Sequence, residues 1–194
     1  QELGTGGALQ KSLNWNMQSD FLVLYGDIYY DINLRKFYLY HLNKEERSFT
    51  ALVHPNDHPY DSDIVEMDDQ GYIQGIRPYP HSKNLSYPNL VNAALYVVNR
   101  NFLQNNLITA TKFDIAKDMI PKYLRQSIKL CGYRSSEYTK DAGTPDRLKK
   151  IELDISKDVP KRLSRFGSRP AVFLDRDGTL NHDIKTSKDG FQIG

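Results

Sequence analysis

The feature that most constrains the fold is an alternation: short apolar runs ending in polar turns are separated by stretches whose apolar residues recur at helical spacing. DFLVLYGD at 20 to 27 closes on Gly26-Asp27, the pattern of a buried strand whose last residue emerges at its C-terminal edge. Leu34, Phe37, Tyr38 and Leu42 follow at the spacing of a helix, then a polar NKEER turn, then a second apolar run, FTALV, at 49 to 53. DIVEMDDQGYIQGI sets two alternating runs around Asp69-Gln70-Gly71, a hairpin signal. NLVNAALYVVN at 89 to 99 and IKLCGY read as strands, and FDIAKDMIPKYLR, from Phe113 to Arg125, reads as a helix that Pro121 kinks or divides. TPDRLKKIELDI carries a helix start, with Thr144 as N-cap, Pro145 at the first helical position and Asp146 in the first turn. Strands alternating with helices predict an α/β sheet, mostly parallel, with one inserted hairpin.

Composition limits what such a sheet can be for. The chain has 194 residues, 39% of them hydrophobic, enough to bury one core of ordinary domain size. Lys plus Arg number 26 against 24 Asp plus Glu, and a formal charge of +2 lacks the basic excess that nucleic-acid binding leaves in a composition. Cys131 is the only cysteine, which excludes an internal disulfide and a multi-cysteine zinc site; it reads as a small buried apolar residue in a reducing compartment. No apolar run approaches the roughly 18 residues of a membrane helix and no signal pattern opens the chain, so no membrane association is expected and the cytoplasm is the expected location. After Val159 the stretch PKRLSRFGSRP, with Pro160, Gly167 and Pro170, loses apolar periodicity, and a linker is placed at 160–169. The chain opens at Gln1 inside ELGTGGAL and closes at FQIG, and it reads as a piece of something longer.

Three stretches could do chemistry. LGTGGAL at 3 to 9 puts glycines and a threonine at the mouth of a helix, where bare backbone N–H groups can approach a nucleotide, although a glycine-rich turn by itself is more often only a turn. Asp27, at the carboxyl edge of its strand, is placed either to hold Mg2+, a hard cation that takes oxygen ligands, or merely to cap a turn. In KDAGTPDRL, Asp141 precedes a Gly-Thr-Pro turn into a helix; with Asp27 it could hold a metal ion against a triphosphate, or it only braces the turn.

LGTGGAL, FLVLYGDIYYDINL, NLVNAALYVVN and DAGTPDRL, in that order and approximate spacing, resemble the sugar-1-phosphate nucleotidyltransferases over roughly residues 1 to 155. The resemblance implies a Rossmann-like nucleotidyltransferase sheet over 1–159, with a nucleoside triphosphate and a sugar 1-phosphate as its small-molecule partners. It implies that Gly4, Thr5, Gly6 and Gly26 lie against the nucleotide, that Asp27 and Asp141 hold Mg2+, and that Asn92 reaches the sugar. Three departures stand out. The family's glycine-rich catalytic loop with its arginine and lysine would have to precede Gln1, and the glycine after the family's sugar-binding asparagine is Ala94 here. The family's lysine for the sugar phosphate also has no clear counterpart; in GIRPYPHSKN, Arg77 and Lys83 are the candidates. His54 and His58 lie among aspartates in HPNDHPYDSD, but the Pro-rich context favours an ordered surface loop over a metal site.

AVFLDRDGTLNHD at 171 to 183 is a different signal. An apolar strand ending in Asp-x-Asp-Gly-Thr resembles the first motif of the haloacid dehalogenase superfamily, in the form seen in its histidinol-phosphate and heptose-bisphosphate phosphatases. The resemblance implies that 170–194 begins a second α/β domain, with Asp175 as nucleophile, Asp177 as acid and base, and both near Mg2+. Phosphatase and transferase in one chain suggest consecutive steps toward GDP- or ADP-heptose for a bacterial surface polysaccharide. Two alternatives stay open: a parent protein that acts chiefly as a phosphatase beside a degenerate transferase half, and a non-catalytic nucleotide-sugar-binding module.

Overall fold

The computed structural model describes residues 2–15, 18–56, 59–81, 87–166, 172–175, 179–180, 184–186 and 190–192. Helix α1 (Gly4–Ser12) precedes strands β1 (Asp20–Leu24) and β2 (Ile28–Asp31), helix α2 (Leu34–Leu42) and strand β3 (Phe49–His54). The hairpin β4 (Ile64–Met67) and β5 (Ile73–Arg77) leads to β6 (Val91–Asn99) and α3 (Arg100–Asn105). A π-helical turn, Ile115–Met119, runs into α4 (Ile120–Arg125), so Pro121 falls in the first turn of a new helix, where its missing N–H costs nothing. Then come β7 (Cys131–Arg134), β8 (Tyr138–Asp141), α5 (Pro145–Ser156), α6 (Val159–Leu163) and a small hairpin, β9 (Ile184–Thr186) with β10 (Gly190–Gln192).

The main sheet has the order β5-β4-β6-β3-β7, with β1 also paired to β6. It is an α/β sheet of the expected class, but the expected predominance of parallel pairs does not hold. Among the described residues only β3 and β7 pair in parallel; β6 runs antiparallel to β1, β3 and β4, and so places a reversed strand at the centre. The alternating pattern of apolar runs with helices does not record this, because a strand buried on both faces has the same continuous apolar pattern whichever way it runs.

Both faces of the sheet are covered, and the period-two alternation of the strands assigns each residue to one of two cores. Phe49, Ala51, Val53, Tyr96 and Val98 face a larger core with Leu9 of α1, Leu103 of α3 and Ile120 and Tyr123 of α4. Leu52, Leu95 and Val97 face the other side and pack on Phe37 of α2 and Tyr133. Cys131 is a free, fully buried thiol, and burial pushes its pKa up, away from reactivity.

A second, two-stranded ribbon carries the site. β2 and β8 pair antiparallel, with Ile28 opposite Asp141, and the Ala142 N–H donates to the Asp27 carbonyl at 2.7 Å. α5 then starts as the sequence predicts: the Thr144 hydroxyl accepts from the Arg147 N–H, with Pro145 in the first turn. Residues 160–163 of the stretch read as a linker belong to α6, and Pro160 is buried.

The strand expected over the apolar residues before Asp175 is absent. Val172, Phe173 and Leu174 are 82%, 95% and 59% exposed and residues 172–175 pair with no strand, because no described sheet lies beside them to satisfy their backbone groups.

Candidate functional site

The two aspartates singled out in the sequence are brought together by the β2–β8 ribbon. A Cβ built on Gly143 would lie 3.1 Å from Asp141 Oδ1 and 3.7 Å from Asp27 Oδ2, so both carboxylates converge on one small volume that a side chain at 143 would fill. Asp141 Oδ1 accepts from the Gly143 N–H at 2.7 Å, and Asp141 Oδ2 accepts from Arg147 Nη1 at 2.6 Å. Both donors are hard carboxylate oxygens, the set that suits Mg2+ completed by phosphate and water rather than by an all-protein cage. Among the described residues no group of three His, Cys, Asp or Glu side chains is spaced to hold a metal ion.

This pair separates two openings. A groove of about 680 Å3 along β1 is lined by Thr5, Tyr25, Gly26 and Asp27. A cavity of about 370 Å3 is lined by Asn92, Thr139, Lys140, Asp141, Arg147 and Lys150. Thr139 is 6% exposed and its hydroxyl has no hydrogen-bond partner. A buried unpaired hydroxyl costs about 1–3 kcal/mol, which a ligand oxygen in the cavity would recover.

A hydrogen bond fixes a polar side chain at each opening. Asn92 Nδ2 donates to the Tyr96 hydroxyl at 2.8 Å, and the Tyr96 ring packs edge-on against Tyr25. Thr5 donates to Asp114 Oδ2 at 2.6 Å. Asp114 Oδ1 is occupied by the Ala116 and Lys117 N–H groups at the start of the π-helical turn. Burial pushes the Tyr25 phenol up to about 12 and Tyr96 well above its ordinary value, so both keep their protons at neutral pH.

The glycine-rich segment serves the packing of α1 rather than presenting bare amides. The Gly6 and Gly7 N–H groups both donate to the Phe113 carbonyl, at 2.9 and 3.3 Å. A Cβ at Gly6 would collide with the Phe113 ring, and Gly4 adopts φ +68 against the same residue. Thr5 and Gly26 line the groove; Gly4 and Gly6 do not.

Asn92 sits where β6 bulges. Ala51 pairs with Tyr96 and Val53 with Asn92, so β6 spends two more residues than β3 over that interval, and Ala94 within it takes φ +52. Tyr30 secures the bulge by donating to the carbonyls of Ala93 and Ala94, at 3.1 and 2.8 Å.

Of the candidates for a sugar phosphate, Arg77 donates to Glu66 Oε1 at 2.7 Å, stacks on Tyr87 and does not line the cavity. Lys83 lies outside the described residues, as do His58 and Asp177; His54 lines the cavity and Asp175 is exposed. Sequence reasoning passed over Arg147 and Lys150, which line the cavity from α5. The signal was present: they stand three apart just after the Thr144 cap, on one face of the helix.

Residues 1–158 match the model of the Nucleotidyl transferase family, and the chain belongs to that family. It is 27% identical over 164 residues to a glucose-1-phosphate adenylyltransferase of Bacillus cereus, covering 80% of this chain and 43% of that protein. It therefore spans less than half the length of that relative. Among solved structures, the fold is similar to HddC from Yersinia pseudotuberculosis, with a TM-score of 0.65, 20% identity and coverage of 80% of this chain and 64% of that one. A structure of HddC complexed with GMP-PN superposes with a TM-score of 0.64, at the same identity and coverage.

Proposed function

We propose that this chain is the nucleotide- and sugar-binding part of a Mg2+-dependent sugar-1-phosphate nucleotidyltransferase, which joins a nucleoside triphosphate to a sugar 1-phosphate and releases pyrophosphate. The observation that carries the reading is the convergence of Asp27 and Asp141 between the groove and the cavity. In this reading Thr5 and Gly26 face the nucleotide, while Gly4 and Gly6 hold α1 against Phe113. Asn92 and Thr139 face the sugar from the other side. Mg2+ held by Asp27 and Asp141 would neutralise charge on the phosphates. The two openings hold the reactants so that an oxygen of the sugar phosphate attacks the α-phosphorus in line, forming the new P–O bond as the bond to pyrophosphate breaks.

The finer reading is a heptose 1-phosphate guanylyltransferase in the cytoplasm, fused to a sugar-phosphate phosphatase beginning at 170–194, with Asp175 as nucleophile and Asp177 as acid and base. The LDRDGT motif supports the fusion, and the GMP-PN complex of a protein of this fold supports the guanine base.

The test uses the full-length protein with a panel of nucleoside triphosphates and sugar 1-phosphates, heptose 1-phosphate included. Asp27→Asn is expected to abolish pyrophosphate release and to leave phosphate release from a heptose bisphosphate intact. Unchanged pyrophosphate release in the variant overturns the metal role of Asp27, and equal loss of both activities overturns two separate sites.

A further inference from the structure

The Arg147–Asp141 pair joins two groups that the transferase reading needs for different partners. Asp141 Oδ2 accepts from Arg147 Nη1 at 2.6 Å, while Oδ1 of the same carboxylate converges with Asp27 Oδ2 near Gly143, and both side chains of the pair are about half exposed. Arg147 also lines the cavity that holds Asn92 and the unpartnered Thr139 hydroxyl. Its backbone is fixed by the Thr144 cap, while among the described residues its guanidinium is tied only through this exposed ion pair. A guanidinium and a divalent cation at one carboxylate repel each other, so the stronger cation displaces the weaker. A displaced Arg147 keeps its planar fork inside the cavity, where a phosphate monoester is the ligand that geometry fits best.

We propose that Arg147 is the cation that receives the phosphate of the sugar 1-phosphate, and that Asp141 holds it in reserve until the divalent ion takes its place. Metal binding and phosphate binding are then coupled: the ion releases the arginine, and the arginine completes the sugar-phosphate side of the site. Arg77, committed to Glu66 and Tyr87, is not needed for this task. The inference rests on the transferase reading of Asp27 and Asp141.

The experiment titrates Mn2+ into the full-length protein without substrate, reading free Mn2+ by electron paramagnetic resonance. Inorganic phosphate is then titrated calorimetrically at saturating Mn2+. Arg147→Gln is expected to tighten Mn2+ binding about two- to fivefold, the span an exposed ion pair supports, and to weaken phosphate binding by a similar factor or more. Arg147→Lys, which keeps the charge without the fork, should fall between the two on both readouts. Equal or weaker Mn2+ binding by Arg147→Gln, or unchanged phosphate binding, overturns this proposal alone. No Mn2+ binding by either protein overturns the metal reading of the aspartates as well. Circular dichroism melts of both variants establish that each is folded, since Arg147 is a surface side chain with its backbone cap intact.

Discussion

Thr139 and Thr144, on either side of Asp141, show how the same side chain does opposite things. Thr144 caps α5 and its hydroxyl is satisfied; Thr139 is buried beside the cavity with its hydroxyl unpaired. Replacing Thr139 by Val keeps the shape and removes the unpaired oxygen. The free protein is therefore expected to gain about 1 kcal/mol in urea unfolding, while the KM for the sugar 1-phosphate rises and that for the nucleotide stays put. A loss of stability on substitution would show that the hydroxyl already has a partner. The aspartates at this scale were readable beforehand because Gly-Asp and Asp-x-Gly-Thr-Pro place them at turns by short-range chemistry. Arg147 was not, because its meaning arises only when the start of α5 is folded against β8 and Asp141.

The bulge of β6 is an element-level device. Two additional residues opposite β3 let the strand turn Asn92 toward the cavity while its neighbours Leu95 and Tyr96 stay in the two cores. Left-handed backbone suits glycine, and alanine at φ +52 stores strain of about 1 kcal/mol or more. Ala94→Gly is expected to raise the thermal midpoint by a few degrees without altering Asn92, since the relieved strain exceeds the entropy the glycine adds to the unfolded chain. A lower midpoint would mean that the Ala94 methyl contributes more to packing than its backbone costs. The sequence showed the strand and the alanine where the resembling family has glycine, but periodicity has no symbol for a bulge. Nor could it show the direction of β6, which depends on which strands flank it.

At the scale of the molecule, α2 is tied to the sheet by a buried polar cluster far from the cavity. His41, fully buried, contacts Thr50 Oγ1 through Nδ1 at 2.8 Å and Asp20 Oδ1 through Nε2 at 3.2 Å, while Asn99 donates to the same Asp20 oxygen. Burial holds the His41 pKa below its ordinary 6.5, against the pull of Asp20. At Asp20 burial raises the carboxyl, but hydrogen bonds from Asn99, His41 and Ser19 outweigh it and leave the group below 3.8. For both groups the unfolded chain binds more protons, so their contribution is present at high pH and is lost on acidification: His41's as pH falls below about 6.5, Asp20's below about 4. The urea midpoint is expected to drop between pH 7.5 and 5.5, and His41→Gln to shrink that drop; an identical pH dependence in the variant would place the sensitivity elsewhere. No helix among the described residues is long and apolar enough to cross a membrane. Thr5 ties α1 to the π-helical turn, its one hydroxyl donating to Asp114 Oδ2 and accepting from the Ile115 N–H. That proton is already given to Asp114, so toward the groove the side chain has only a lone pair left to offer. Whatever engages the Thr5 hydroxyl in that groove has to bring the proton itself, an asymmetry imposed by a carboxylate 109 residues further along the chain.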